Sequence, residues 1–104
     1  SSGAQTFYTN RYIENKQVAE FIQEEIIRNL ENSSREAKTI QNIYLMTNAK
    51  KPGASVEIGF ISNIAERQNL IQESYQEKIA AAVYKGILRY FTEEVEEIEK
   101  SDSK

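Results

Sequence analysis

The sequence predicts an α/β fold, a partial open sheet of about three strands, mixed or parallel, flanked by helices. Three observations predict it. Short runs rich in apolar and β-branched residues alternate with longer stretches whose apolar residues recur at three- and four-residue steps. The strand-like runs are too continuously apolar for half-exposed strands, as expected of a sheet covered on both faces. The chain has 104 residues, 39% of them hydrophobic, which suffices for one domain with a small core.

The elements follow in order. Ala4-Gln5-Thr6-Phe7-Tyr8-Thr9 has the β-branched and aromatic content of a strand, and Asn10 is expected to cap the helix after it. Val18, Phe21, Ile22, Ile26 and Leu30 then form one apolar stripe, with Glu20, Gln23, Glu24 and Arg28 between, predicting a helix over roughly residues 12–31. Asn32-Ser33-Ser34 ends it, because these side chains compete for backbone hydrogen bonds. Ile40 to Met46 reads as a second strand, and residues 48–53, which hold the single proline, as a loop. Ala54-Ser55-Val56-Glu57-Ile58 is the third strand, buried apart from its glutamate. Asn63 with Glu66 and Ser74 with Glu77 have capping-box spacing, so two helices are expected to start there. The second carries Ile79, Val83, Ile87, Tyr90 and Phe91 on one face, and ends near residue 92 or runs into the acidic segment. Two regions result, a body over residues 1–92 and an acidic helix extension or tail over 93–104.

Charge excludes some functions. The net charge is −3, but Glu93, Glu94, Glu96, Glu97, Glu99 and Asp102 face only Lys100 and Lys104 in the acidic segment, so the body is nearly neutral. With no basic stripe to neutralise phosphates, nucleic acid is not an expected partner. The absence of cysteine excludes disulfides and thiolate metal sites. No run reaches the ~18 apolar residues of a membrane span. Ser1-Ser2-Gly3-Ala4-Gln5 offers neither the basic region nor the apolar stretch of a signal peptide and has no initiator methionine, so the chain is expected to belong to a longer protein.

The best candidate for chemistry is Glu57, in Val56-Glu57-Ile58-Gly59-Phe60-Ile61-Ser62-Asn63. A carboxylate at the end of an apolar strand is costly unless it is solvated, paired or used. The bland reading is a side chain that reaches water. The functional reading is a general acid/base, or a metal-associated carboxylate, at the C-terminal sheet edge where ligand sites of open α/β folds gather. Gly59 would allow close approach of another group, with Phe60 and Ile61 as apolar walls.

On Gly3-Ala4-Gln5-Thr6-Phe7-Tyr8, on Pro52-Gly53-Ala54-Ser55-Val56-Glu57-Ile58-Gly59-Phe60-Ile61-Ser62-Asn63 with Glu66, and on Tyr75-Gln76-Glu77-Lys78-Ile79-Ala80, the chain resembles one family from Gly3 to about Phe91. That family is the zinc-dependent N-acetylmuramoyl-L-alanine amidases, which hydrolyse the lactyl–L-alanine amide of peptidoglycan. Arg35-Glu36-Ala37-Lys38 and Tyr84-Lys85-Gly86-Ile87-Leu88-Arg89-Tyr90-Phe91 most resemble its germination-specific branch, which acts on spore cortex.

The resemblance implies the C-terminal half of a larger phosphorylase/hydrolase-like amidase domain, with Glu57 as the catalytic acid/base. It implies Zn2+ in the parent enzyme, held by a histidine, a glutamate and a second histidine from sequence preceding the segment that matches Ser1-Ser2-Gly3-Ala4. This chain has no histidine, so it is expected to bind no zinc and to be inactive alone. The implied partners are peptidoglycan or muropeptide and the N-terminal half of the domain, and the implied location is extracytoplasmic, in the cell wall or spore envelope.

Three further residues are substrate-binding candidates. Arg35, with Lys38, could face an anionic muropeptide, although a basic pair before a strand is more often solvated surface. Asn48, with Lys50, lies in the loop before the Glu57 strand and could line the substrate groove. Asn63 is first a helix cap and second a substrate contact. The competing function is a non-catalytic α/β interaction fragment that self-associates through exposed strands or binds a partner.

Overall fold

A computed structural model describes residues 3–30, 35–41, 47–58 and 72–102. The element order is β1 (Gln5–Tyr8), α1 (Glu14–Leu30), β2 (Lys38–Thr39), β3 (Ser55–Glu57) and α2 (Glu73–Asp102). The strands form one mixed sheet in the order β2-β1-β3. β2 runs parallel to β1, with Phe7 beside Lys38 and Tyr8 beside Thr39. β3 runs antiparallel to β1, pairing Gln5 with Glu57, Thr6 with Val56 and Phe7 with Ser55. The α/β class with about three strands therefore stands.

Several boundaries differ from the expectation. α1 begins at Glu14, and Asn10 sits exposed in the preceding turn. Asn15 does the tying instead. Its Nδ2 donates to Thr9 O at 3.1 Å, and its Oδ1 accepts from Gly53 N at 2.8 Å, joining the end of β1 to the loop before β3. Pairing of the second strand starts earlier than Ile40, at Lys38–Thr39, and among the described residues continues as the bond from Ile40 N to Tyr8 O at 2.8 Å. Apolar patterning could not reveal it, because Lys38 and Thr39 are exposed and pair only through their backbone. Residues 42–46 of the expected strand lie outside the described residues, as do Asn63, Glu66 and the helix expected to start there.

α2 begins at Glu73, so Ser74 lies inside its first turn rather than at its cap, and Gln76 N donates to Gln72 O at 3.2 Å. α2 then continues through the acidic segment to Asp102. No described helix is long and apolar enough to cross a membrane.

Among the described residues, both helices cover one face of the sheet rather than one helix covering each. Thr6 and Val56 are opposite partners and so share a face, on which Ala4 also lies two residues before Thr6. Ala4, Ile22, Ile26, Tyr75, Ile79 and Ala82 form the buried core against that face, with Val18, Leu30, Val56 and Val83 packed around it. The two helices cross tightly at Gly86, where an added Cβ would lie 2.5 Å from Ile22 Cα. A glycine is required there by the close approach of two backbones.

The sheet is held as much by side chains as by strand pairing. Gln23 of α1 accepts from Thr6 N at 2.7 Å and donates to Ala4 O at 3.1 Å. Its amide thereby imitates a neighbouring strand along the part of β1 that lies ahead of the β2 pairing.

Candidate active site

The register of β1 against β3 fixes the site. Because β3 is antiparallel, its C-terminal residue Glu57 lies opposite Gln5, the first residue of β1. Opposite residues of an antiparallel pair present their side chains on one face, so Glu57 and Gln5 share the face away from the helix core. Glu57 is exposed and Gln5 is buried. The cost of a carboxylate on this strand is met by water.

Gln5 connects Glu57 to the segment before β2. Its Nε2 donates to Glu36 O at 2.9 Å, and its Oε1 accepts from Arg35 Nη1. Arg35 and Glu57 therefore flank one buried glutamine, a carboxylate on one side and a guanidinium on the other. Gln5 had no assigned role in the sequence, although a polar residue in an otherwise apolar strand is the signal that marks it. Tyr75 adds the opposite support, donating from its hydroxyl to Ile58 O at 3.1 Å and anchoring the residue after Glu57 to the start of α2.

The remaining candidates are not gathered here. Asn48 is exposed and donates to Thr47 Oγ1 at 3.3 Å. Its neighbour Ala49 accepts at its carbonyl from Tyr12 Oη at 3.1 Å and from Arg11 Nε, which holds this loop at the far end of β1. A crevice of about 550 Å³ lined by Thr9, Arg11, Thr39, Ile40 and Thr47 opens at that same end, beyond the carboxyl ends of β1 and β2. The edge where α/β ligand sites usually gather is thus opposite to the Glu57 edge. Glu57 does not share it, because the antiparallel run of β3 carries its end to the amino end of β1. Asn63 and the walls expected from Phe60 and Ile61 lie outside the described residues.

The donor set decides what metal this chain can hold. Catalytic zinc takes three protein ligands, most often imidazoles. The sequence contains no histidine and no cysteine. Among the described residues, no three histidine, cysteine, aspartate or glutamate side chains converge. The residues present do not fit a zinc site. What they do provide is a solvent-facing carboxylate, able to accept or deliver a proton, beside a buried amide and a fixed guanidinium.

A family model for N-acetylmuramoyl-L-alanine amidase, Amidase_3, matches residues 1–89. The chain belongs to this amidase family. It is 58% identical over 92 residues to the germination-specific N-acetylmuramoyl-L-alanine amidase of Bacillus subtilis, covering 88% of this chain and 39% of that protein. It is 33% identical to the N-acetylmuramoyl-L-alanine amidase LytC of the same organism, over 86% of this chain and 18% of that one. Among solved structures, the CwlD amidase from Clostridioides difficile in complex with the GerS lipoprotein superposes with a TM-score of 0.83 at 41% identity, covering 88% of this chain and 47% of that one. The chain therefore spans less than half the length of these amidases.

Proposed function

We propose that this chain is part of a peptidoglycan amidase that hydrolyses the bond between N-acetylmuramic acid and L-alanine, with Glu57 as its general acid/base. The observation that carries the proposal is the pairing of Glu57 with Gln5 at the amino end of β1. The residues joined to that end in the family are those expected to bring the metal ligands, which supports a proton-transfer role for a carboxylate at this end. Family membership and the 58% identity to a germination-specific amidase support spore-cortex peptidoglycan as substrate and an extracytoplasmic location.

The chemistry asked of Glu57 is modest and specific. A water loses one proton to the carboxylate as its oxygen bonds to the amide carbon. The C–N bond then breaks, and the same proton passes to the departing L-alanine nitrogen. Exposure suits both transfers, because the carboxylate must meet water first and the leaving amine second. Arg35, on the other side of Gln5, is proposed to hold an anionic group of the muropeptide. Asn48, at the far end of β1, and Asn63 remain weaker substrate-binding proposals. The zinc that the family uses is proposed to be held by sequence outside this chain, which alone is then inactive.

Complementation tests this. The preceding segment of the amidase domain, supplied in trans with zinc, should restore muropeptide cleavage to the wild-type chain. Glu57→Gln should lower that activity by roughly 10²-fold or more, the usual size of a lost acid/base contribution. Because Glu57 is exposed, its substitution should change stability by no more than about 0.5 kcal/mol. Activity that survives Glu57→Gln removes this residue from the proton-transfer role, and cleavage by the chain alone removes the claim of dependence on outside ligands.

A further inference from the structure

The outer side of α2 carries a stripe that the fold leaves unused. Tyr84, Leu88, Phe91, Val95 and Ile98 are each at least 50% exposed. Their spacing is four, three, four and three residues. That is the spacing of the a and d positions of a coiled coil, with Leu88 and Val95 at a and Tyr84, Phe91 and Ile98 at d. The stripe does not stop with the body of the domain. Residues 92–101 are all exposed, and the only apolar residues among them, Val95 and Ile98, both fall on it. They also lie beyond the part matched by the amidase family model. A solvated acidic extension has no use for two apolar residues in register with a stripe one turn earlier, whereas a helix with a partner does.

Charge identifies the partner. After Glu73 and Glu77 in its first turns, α2 carries Lys78, Lys85 and Arg89 and no acidic residue over 78–89, with Arg89 turned to Glu24 and Glu25 of α1. Residues 93–100 carry Glu93, Glu94, Glu96, Glu97 and Glu99 against Lys100 alone. A second α2 laid parallel would set the acidic parts against each other, with Glu94 and Glu99 at the facing g and e positions. Laid antiparallel, it sets each acidic part against the stretch that holds Lys78 and Lys85, which favours that orientation.

We propose that two copies of this chain associate through the outer face of α2, antiparallel and about a two-fold axis. Packing Leu88 on the partner's Phe91 also brings Tyr84 to the partner's Val95 and Ala81 to the partner's Ile98, so the whole stripe is covered in one register. The same register puts Lys85 beside the partner's Glu99 on the flank. An isologous contact of this kind is closed, and every layer occurs twice.

Sedimentation and cross-linking test the pairing and its orientation. The wild-type chain should rise from 12.0 kDa toward twice that mass across the micromolar range, and Val95→Glu with Ile98→Glu should keep it at 12.0 kDa with unchanged helical circular dichroism. Both substituted residues are far from Glu57 in sequence, so this result is independent of the amidase reading. The chain has no cysteine, so single cysteines report orientation cleanly. A mixture of Tyr84→Cys and Val95→Cys chains should form the mixed disulfide, while Val95→Cys alone should link poorly. A wild-type chain that stays at 12.0 kDa throughout overturns the proposal and assigns the stripe to a different occupant. Ready self-linking of Val95→Cys overturns the antiparallel arrangement.

Discussion

The helix pair and the sheet of this chain are stabilised in different ways. α1 and α2 meet through close backbone approach and apolar packing, with Gly86 against Ile22 at the crossing. The sheet has strands of four, two and three residues, too short to be stable through their ladders alone. Its backbone is secured by buried amides, Gln23 along β1 and Asn15 between β1 and the loop before β3. The carboxylate proposed for chemistry sits on the sheet, and the mass of the core sits under the helices. A structure so divided loses its site geometry first through a polar substitution in the sheet, and its helix packing first through a steric one.

The largest effect is expected at the helix crossing. In an exposed helix, Gly→Ala gains about 1 kcal/mol from propensity. At Gly86 the new methyl would lie 2.5 Å from Ile22 Cα and 2.7 Å from Ile22 N, and backbone cannot swing aside as a side-chain tip can. Gly86→Ala should therefore destabilise the chain by roughly 1–3 kcal/mol net, with the thermal midpoint falling about 4–8 °C per kcal/mol. A midpoint that rises would show that the helices are not in close contact.

Next is Gln23. Gln23→Leu keeps the apolar bulk but removes the acceptor of the buried Thr6 N–H, a loss of about 1–3 kcal/mol. This variant should also loosen the sheet selectively. Amide exchange at Thr6 should accelerate more than at Ile26, which lies in the helix core. Equal acceleration at both positions would mean that sheet and helices open as one unit.

These two residues also show what the sequence could and could not reveal. The apolar stripe of α1, the order of the described elements and the isolated carboxylate Glu57 were all legible, because periodicity and polarity are local properties. Gly86 and Gln23 were not singled out, since a glycine and a glutamine inside helices gain meaning only from the backbone that reaches them. The cap expected at Ser74 failed for a related reason. The spacing to Glu77 was suitable, but the helix starts one residue before Ser74, at Glu73. Pairing direction was also hidden. Nothing local states that β3 runs against β1, and that direction alone sets Glu57 opposite Gln5, the residue that Arg35 bonds, and leaves Asn48 at the far edge.

A smaller effect is expected where the helix pair carries charge. Glu25 is buried in α1 and held by Arg28 Nη1 at 2.8 Å and Arg89 Nη1 at 3.0 Å, while Arg89 Nη2 reaches Glu24 at 2.9 Å. Burial by itself would lower the pKa of Arg89, yet its hydrogen bonds to Glu24 and Glu25 and their charges outweigh burial and leave it above the ordinary value. The guanidinium also lies 4.4 Å from the Phe21 ring centre. Arg89→Met would remove the guanidinium from over Phe21 and leave Glu25 to Arg28 and to Asn29, whose Nδ2 donates to Glu25 Oε1 at 3.3 Å. The expected loss is about 1 kcal/mol by denaturant titration, because Arg89 is partly solvated and two partners of Glu25 remain. Loss of several kcal/mol would mean that Arg28 and Asn29 do not serve Glu25 in solution.

The smallest effect is a pH dependence that reads the same interface. The Tyr90 phenol is pushed above its ordinary value of 10.0, first by burial and then by the charges of Glu94, Glu14 and Glu97. Glu14 belongs to α1 and the other two to α2, so the shift depends on the helices being packed. A raised folded-state pKa means that the unfolded chain releases this proton at a lower pH than the folded one does. Below the ordinary value both states keep the proton and the contribution is fully present. As pH rises past it, the folded state holds more protons than the unfolded state, and stability falls. The thermal midpoint should therefore decline above about pH 10, and Tyr90→Phe should make that decline shallower. The comparison with the single variant isolates Tyr90 from the other five tyrosines. An unchanged slope would mean that neither burial nor the neighbouring carboxylates raise Tyr90 in solution, and that Tyr90 is not packed at the helix pair.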